Sequence, residues 1–180
     1  MLDVGANVGV FSLWAASRIG PRGRLISAEP HPLSYRYLER NLAPFAPFAQ
    51  PVQTACGASA GELELHYVPG RLSVSSFDPR PDRTGHVRVP VARLDEIAAA
   101  RGIDRVDLLK IDVEGAEEQV IQGAAGLLSR VQRLVIEIEA DRQRWLEQTL
   151  EPFGLRLVGR RTGMWGLPHG NIAAFERSDR

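Results

Sequence analysis

The chain has 180 residues, with 22 basic and 22 acidic side chains and one cysteine, which makes one domain of ordinary size able to bury about two-thirds of its unfolded surface. Balanced charge leaves no net field to draw the molecule to nucleic acid or an anionic membrane, and a lone cysteine excludes an intramolecular disulfide or a cysteine-rich zinc site. No basic-then-apolar leader precedes the first strand, so a cytoplasmic location is the default expectation.

Met1 to Val4 reads as a short buried strand, and Val8, Phe11, Ser12, Ala15, Ala16 and Ile19 then recur at helical spacing. Gly5 and Gly9 lie in the turn between. Lacking Cβ atoms, they let the backbone turn sharply and let a ligand lie almost on the main chain, at a helix N-terminus rich in N–H donors. Leu25 to Glu29 is a second strand ending in an acid twenty positions after Gly9, where an α/β fold places a carboxylate to accept both ribose hydroxyls of a nucleotide. The pair predicts a nucleoside-containing cofactor. Gly5-x-x-x-Gly9 is not the tighter Gly-x-Gly-x-x-Gly that makes room for a pyrophosphate, so a cofactor without phosphates, such as S-adenosylmethionine, fits better.

Pro30-His31-Pro32 turns into a helix that carries Tyr35, Leu38 and Leu42 inward and ends near Ala43-Pro44. Pro44, Pro47 and Pro51 punctuate a loop, and Val52 to Cys56 reads as the third strand, with Gly57 at its end. Glu62 to Val68 alternates, with Leu63, Leu65 and Tyr67 on one face, and His86 to Val91 is another extended run. Residues 58–91 are therefore expected to form an inserted antiparallel flap or lid, whose Arg71, Ser73, Ser75 and Ser76 either face an acceptor or are simply solvated.

A short helix follows over Leu94 to Ala100. Val106 to Ile111 is a largely apolar strand in which Lys110 stands out as the one lysine beside 21 arginines, either by chance or because a confined place there takes a compact ammonium and not a flat guanidinium fork. Asp112 ends that strand, Gly115 frees the next turn, and Glu117 opens a helix with Ala116, Val120, Ile121, Ala124, Leu127 and Leu128 inward. Leu134-Val135-Ile136 starts the fifth strand, followed by Glu137 and Glu139. Asp141 is expected to cap a helix with Trp145, Leu146, Thr149, Leu150 and Phe153 inward, which Gly154 ends. Leu155 to Arg161 and Asn171 to Arg177 are two strands with no helix between them, which predicts an antiparallel hairpin.

Asp3-Val4-Gly5-Ala6-Asn7-Val8-Gly9, then Glu29-Pro30, then Leu109-Lys110-Ile111-Asp112-Val113-Glu114-Gly115-Ala116-Glu117 resemble, in order, the signatures of the FkbM-type S-adenosylmethionine-dependent methyltransferases. The resemblance spans nearly the whole chain. It implies the α/β class I methyltransferase fold, Rossmann-like, with a seven-stranded, mostly parallel sheet and the hairpin at its end. It also implies methylation of hydroxyl oxygens on small molecules or sugars. That fold carries a helix before its first strand that helps cover the cofactor, and this chain is expected to lack it.

Asp3 and Gly5 are assigned to the methionine end of the cofactor, with the backbone near Gly9 supporting it, Asn7 as a polar neighbour and Glu29 on the ribose. Cys56 falls at the adenine edge or fills the core as an apolar side chain. Asp112 is the first choice to orient or deprotonate the acceptor, with Glu114 and Lys110 as catalytic neighbours; it reads otherwise as an ion-pair partner of Lys110 or a helix cap. Asp112, Glu114, Glu117 and Glu137 offer the oxygen ligands that Mg²⁺ or Ca²⁺ prefers, but caps and surface roles account for them more simply, and no metal is expected. His31 and His169 fall at the crevice rim. The alternatives are a methyltransferase-fold binding protein without turnover, a nicotinamide oxidoreductase, disfavoured by the glycine spacing and hairpin, and a nucleic-acid methyltransferase, disfavoured by the neutral charge.

Overall fold

Alternation along the opening strand, β1 (Leu2–Val4), decides which layer each side chain enters. Leu2 and Val4 join the larger of the apolar cores, whereas Asp3 points the other way, toward α1 (Val10–Ile19). The computed structural model describes residues 1–71, 75–77, 79–162 and 171–178. After α1 come β2 (Leu25–Ala28), α2 (Pro32–Leu42) and β3 (Ala49–Val52). The next strands, β4 (Ala55–Cys56), β5 (Gly61–Tyr67), β6 (Ser75–Ser76) and β7 (Gly85–Ala92), build a separate sheet. The chain then returns through α3 (Leu94–Ala99), β8 (Leu109–Ile111), α4 (Glu117–Gly123), α5 (Ala125–Leu128), β9 (Arg133–Ile138) and α6 (Gln143–Leu150), and closes with β10 (Leu155–Thr162) and β11 (Asn171–Arg177).

The main sheet has seven strands in the order β10-β11-β9-β8-β1-β2-β3. Its β3, β2, β1, β8 and β9 run parallel, and β11 pairs antiparallel with both β9 and β10. This is the mostly parallel sheet with a terminal hairpin that the sequence predicts. Strand order reverses between β1 and β8, which puts the crevice where ligands bind in an open α/β sheet beside Gly5. The α1 and α2 layer packs through small residues, Ala6, Ala15, Ala16 and Ala49 with Leu25, Leu38 and Leu42. The larger core collects Leu94, Ile97, Val120, Ile121, Leu127, Leu128, Leu146 and Leu150 from the other helices. Among the described residues no helix is long and apolar enough to cross a membrane.

Several local expectations give way to tertiary context. The third strand of the main sheet is Ala49–Val52, not Val52 to Cys56. It is an edge strand, where Pro51 lacks only a ladder bond that the edge does not need. Ala55 and Cys56 instead pair parallel with Val91 and Ala92, so the inserted flap is a four-stranded mixed sheet, not a purely antiparallel one. Ser73 and the loop holding Trp165 and His169 lie outside the described residues.

The strand expected from Val106 is regular only over Leu109–Ile111, and Val106 joins Val131 through an isolated bridge. The helix opened by Glu117 breaks at Ala124 into α4 and α5. Just before the break a Cβ on Gly123 would lie 2.0 Å from the carbonyl oxygen of Gly57, so this glycine lets the helix end press against the base of the flap. Asp141 does not cap α6: it lies in a 3₁₀ turn, Ala140–Arg142, and the helix starts at Gln143 without a side-chain cap.

Candidate active site

The crevice forms because β1 ends in residues that let its backbone touch that of β8. Gly5 has φ +76°, and a Cβ there would sit 1.7 Å from the carbonyl oxygen of Asp112. The Asp112 amide donates to the Val4 carbonyl, and the amides of Gly5 and Ala6 both donate to Ala28, so β8, β1 and β2 end in one tight rim. Two non-glycine residues hold left-handed backbone on this rim, Asn7 at φ 52° and Glu114 at φ 54°. Such conformations cost about 1–3 kcal/mol each and persist where the surroundings over-determine them, often at functional sites.

Above the rim lies a cleft of about 290 Å³. Its lining includes Gly5, Asn7, Glu29, Cys56, Asp112, Glu114 and Glu137. Glu29 is nearly buried, and its carboxylate turns into the cleft: Oε2 accepts from the Asn7 amide at 2.8 Å and Oε1 from the His31 amide at 2.9 Å. Each oxygen keeps a further acceptor site, which suits a ligand offering a pair of hydroxyls. Burial pushes this carboxyl up to about 7, against the lowering pull of the two amides and of Lys110. Asn7 Oδ1 is buried and has no hydrogen-bond partner among the described residues, an orphaned acceptor in the cleft lining.

Lys110 organises the β8 side. Its Nζ meets Asp3 Oδ1 at 3.1 Å and Asp112 Oδ2 at 3.3 Å, and donates to the Gly5 carbonyl at 3.2 Å. Two carboxylates and a backbone carbonyl thus gather around one compact ammonium. Burial alone would lower its pKa, but Asp3 and Asp112 raise it instead, so it is a fixed cation. Asp3 itself is completely buried. Its Oδ2 accepts from Ser12 at 2.6 Å, and Ser12 meets Ser27 at 2.8 Å.

Asp3, expected at the methionine end, is completely buried and outside the cleft lining, with Lys110 and Ser12 as its partners. Gly9 does not line the cleft either; its positive φ of 89° caps α1, and a Cβ would press on Leu38 at 2.7 Å. Gly5, Asn7, Glu29, Cys56, Asp112 and Glu114 do converge. Burial pushes the Cys56 thiol up to about 12, so it is a neutral, apolar part of the wall. His31 is buried, accepts from the Ser34 amide through Nδ1 at 3.3 Å, and sets its ring edge-on to Tyr67 of the flap at 4.7 Å.

The residue whose role the sequence reading understated is Glu137. It extends β9 beside Asp112, faces the same cleft, and is pushed up to about 7 by burial and then by Asp112, Glu114 and Glu117. Its signal was available as an acid following the apolar start of a parallel strand next to β8. Leu65, Ser76 and Phe77 of the flap also line the cleft, a placement that no sequence period reveals. Among the described residues no group of His, Cys, Asp and Glu side chains is arranged to hold a metal ion.

The orphaned Asn7 oxygen and the Glu29 carboxylate in the cleft lining suit, in turn, an ammonium and a ribose. S-Adenosylmethionine combines the two, and the residues present fit it.

Comparison with known proteins agrees. Residues 3–161 match the model of the methyltransferase FkbM domain. The chain is 32% identical to methyltransferase sdnD of Sordaria araneosa, over 68% of this chain and 59% of that protein. It is 30% identical to the AMB antimetabolite synthetase AmbE of Pseudomonas aeruginosa, over 79% of this chain and 8% of that one. Identity to the 31-O-demethyl-FK506 methyltransferase FkbM of Streptomyces tacrolimicus is 27%, over 77% and 64% respectively. The chain therefore spans less than two-thirds of the length of each of these relatives. Among solved structures, fibrillarin of Aeropyrum pernix with bound S-adenosylmethionine superposes with a TM-score of 0.60 at 17% identity, covering 97% of this chain and 64% of that one, a likeness of fold.

Proposed function

Because the chain belongs to the FkbM family of S-adenosylmethionine-dependent methyltransferases, we propose that it transfers the methyl group to a hydroxyl oxygen of a small molecule or sugar. The single observation that carries this reading is Glu29, a buried carboxylate fixed by two backbone amides and open toward the cleft. In this reading Glu29 takes the ribose hydroxyls, Asn7 and the backbone at Gly5 take the methionine end, and Cys56 with Ala55 walls the adenine. Asp3 and Lys110 act from beneath as positioning residues.

The bound cofactor supplies an activated methyl group on a sulfonium, so the protein's task is chiefly to hold an oxygen in line with it. Asp112, steadied by Lys110 at 3.3 Å, orients the acceptor hydroxyl, and Glu114 borders the same space. The negative rim formed by these carboxylates also favours a cationic donor over its neutral product. Oxygen as the acceptor atom is supported by the relative named a 31-O-demethyl-FK506 methyltransferase.

The test is incubation with methyl-labelled S-adenosylmethionine and a panel of sugars and small hydroxylated compounds, followed by identification of the labelled bond. A methyl ether is expected, and its yield should fall at least about tenfold in Asp112→Asn. Label on nitrogen or carbon would overturn the oxygen assignment, and full turnover by the variant would overturn the role of Asp112.

A further inference from the structure

Resting on the methyltransferase reading above, we infer that Glu137 is the catalytic base that removes the acceptor's hydroxyl proton, while Asp112 aims the hydroxyl and holds Glu137 in place. Strand register brings the two acids together. Ile111 of β8 pairs with Ile136 of β9, so the residues that follow, Asp112 and Glu137, stand side by side at the carboxyl ends of adjacent parallel strands. Both line the cleft with Gly5 and Glu29, and Asp112, through its charge and a side-chain hydrogen bond, is among the groups that raise the Glu137 pKa.

The two acids differ in their other neighbours. Asp112 has a fixed cation at 3.3 Å, the Lys110 ammonium, itself anchored to Asp3 and the Gly5 carbonyl. That contact fixes the Asp112 carboxylate in position, where it can aim a hydroxyl. The charged groups facing Glu137 are instead the carboxylates of Asp112, Glu114 and Glu117. Like charges around a part-buried carboxyl favour its protonated form, and its pKa is raised to about 7, near the value at which a base works at neutral pH.

The step balances. The acceptor O–H bond breaks with its proton going to a Glu137 oxygen, and the freed electron pair forms the O–CH₃ bond. The S–CH₃ bond breaks with its pair on sulfur, giving S-adenosylhomocysteine. Glu137 returns its proton to water after the product leaves.

Two cofactor analogues read this placement without knowledge of the acceptor. Sinefungin carries, where the donor methyl stands, an amine that is protonated at neutral pH; S-adenosylhomocysteine carries nothing there. Their dissociation constants would be measured by calorimetry between pH 6 and 8.5 for the wild type, Glu137→Gln and Asp112→Asn. Any pH effect from Glu29 acts on both ligands and cancels in the ratio.

In the wild type, the preference for sinefungin should grow about tenfold as pH rises through 7. In Glu137→Gln it should collapse by about tenfold and become flat with pH, with S-adenosylhomocysteine affinity unchanged as proof of an intact fold. A preference that survives Glu137→Gln, or that only Asp112→Asn abolishes, overturns the assignment. Failure of the wild type to bind S-adenosylhomocysteine at all is a different result: it overturns the cofactor reading, and the base assignment falls with it.

Discussion

Glu29 just past the end of β2 and Glu137 on β9 have β1 and β8 between them, and both carboxyls are pushed up to about 7. At Glu29 burial does this against two amides that hold the charged form in place, whereas at Glu137 a cluster of acids adds to the burial. A carboxylate held by backbone donors is rigid and suited to binding. One crowded by like charges gains and loses a proton easily and is suited to transfer. Equal basicity therefore marks different work, and the neighbours, not the pKa, distinguish the two.

The largest effect that tests this contrast belongs to the foundation of the β8 side. Asp3→Ala leaves Lys110 buried without its anchor, and breaking a buried ion pair costs about 3–5 kcal/mol. Urea denaturation should show that loss. A stability within about 1 kcal/mol of wild type would mean that Lys110 relaxes onto other partners and that Asp3 is not its anchor.

A smaller effect is expected from pH. A carboxyl raised from 4.5 to about 7 on folding binds its proton more tightly in the folded state. Its stabilisation is full below pH 4.5 and is lost as pH rises through 7. The ligand-free protein should accordingly become less stable between those limits, by on the order of 2–3 kcal/mol from Glu29, with less from the more exposed Glu137. Glu29→Gln should flatten the profile and stabilise the ligand-free protein at pH 8. A profile that instead rises with pH would refute both shifts.

Smallest is the effect at the wall between these ends. With its thiol pushed up to about 12, only about one Cys56 in 10⁴ is ionised at pH 8, so native protein should react with a disulfide reagent only on unfolding. Rapid stoichiometric labelling of the native state would show that this wall is open.

Much of this was legible in the chain. The glycine turn, the acid at the end of the second strand, the terminal hairpin and the special status of Lys110 all follow from local chemistry or spacing, and each has its counterpart in the structure. What local reading missed depends on partners distant in sequence. Pro51 signals a loop until its strand is known to be an edge. Ala55 and Cys56 look like a continuation of the third strand until β7 captures them. The motif that opens at Asp3 borders the cleft, but the two-residue period of a strand turns Asp3 itself toward α1 and Ser12. Glu137 gains its meaning only from the side-by-side register of β8 and β9.

Glu29 as the ribose anchor is tested most directly by calorimetry of S-adenosylhomocysteine against the wild type and Glu29→Gln across pH 5.5 to 8.5. Hydroxyl donors favour the ionised carboxylate, so wild-type affinity should strengthen about tenfold per pH unit up to about 7 and then level off. The variant should bind about tenfold to a hundredfold more weakly at pH 8 and show no such slope. Equal affinities with parallel pH profiles, or no saturable binding to the wild type at millimolar ligand, would contradict it.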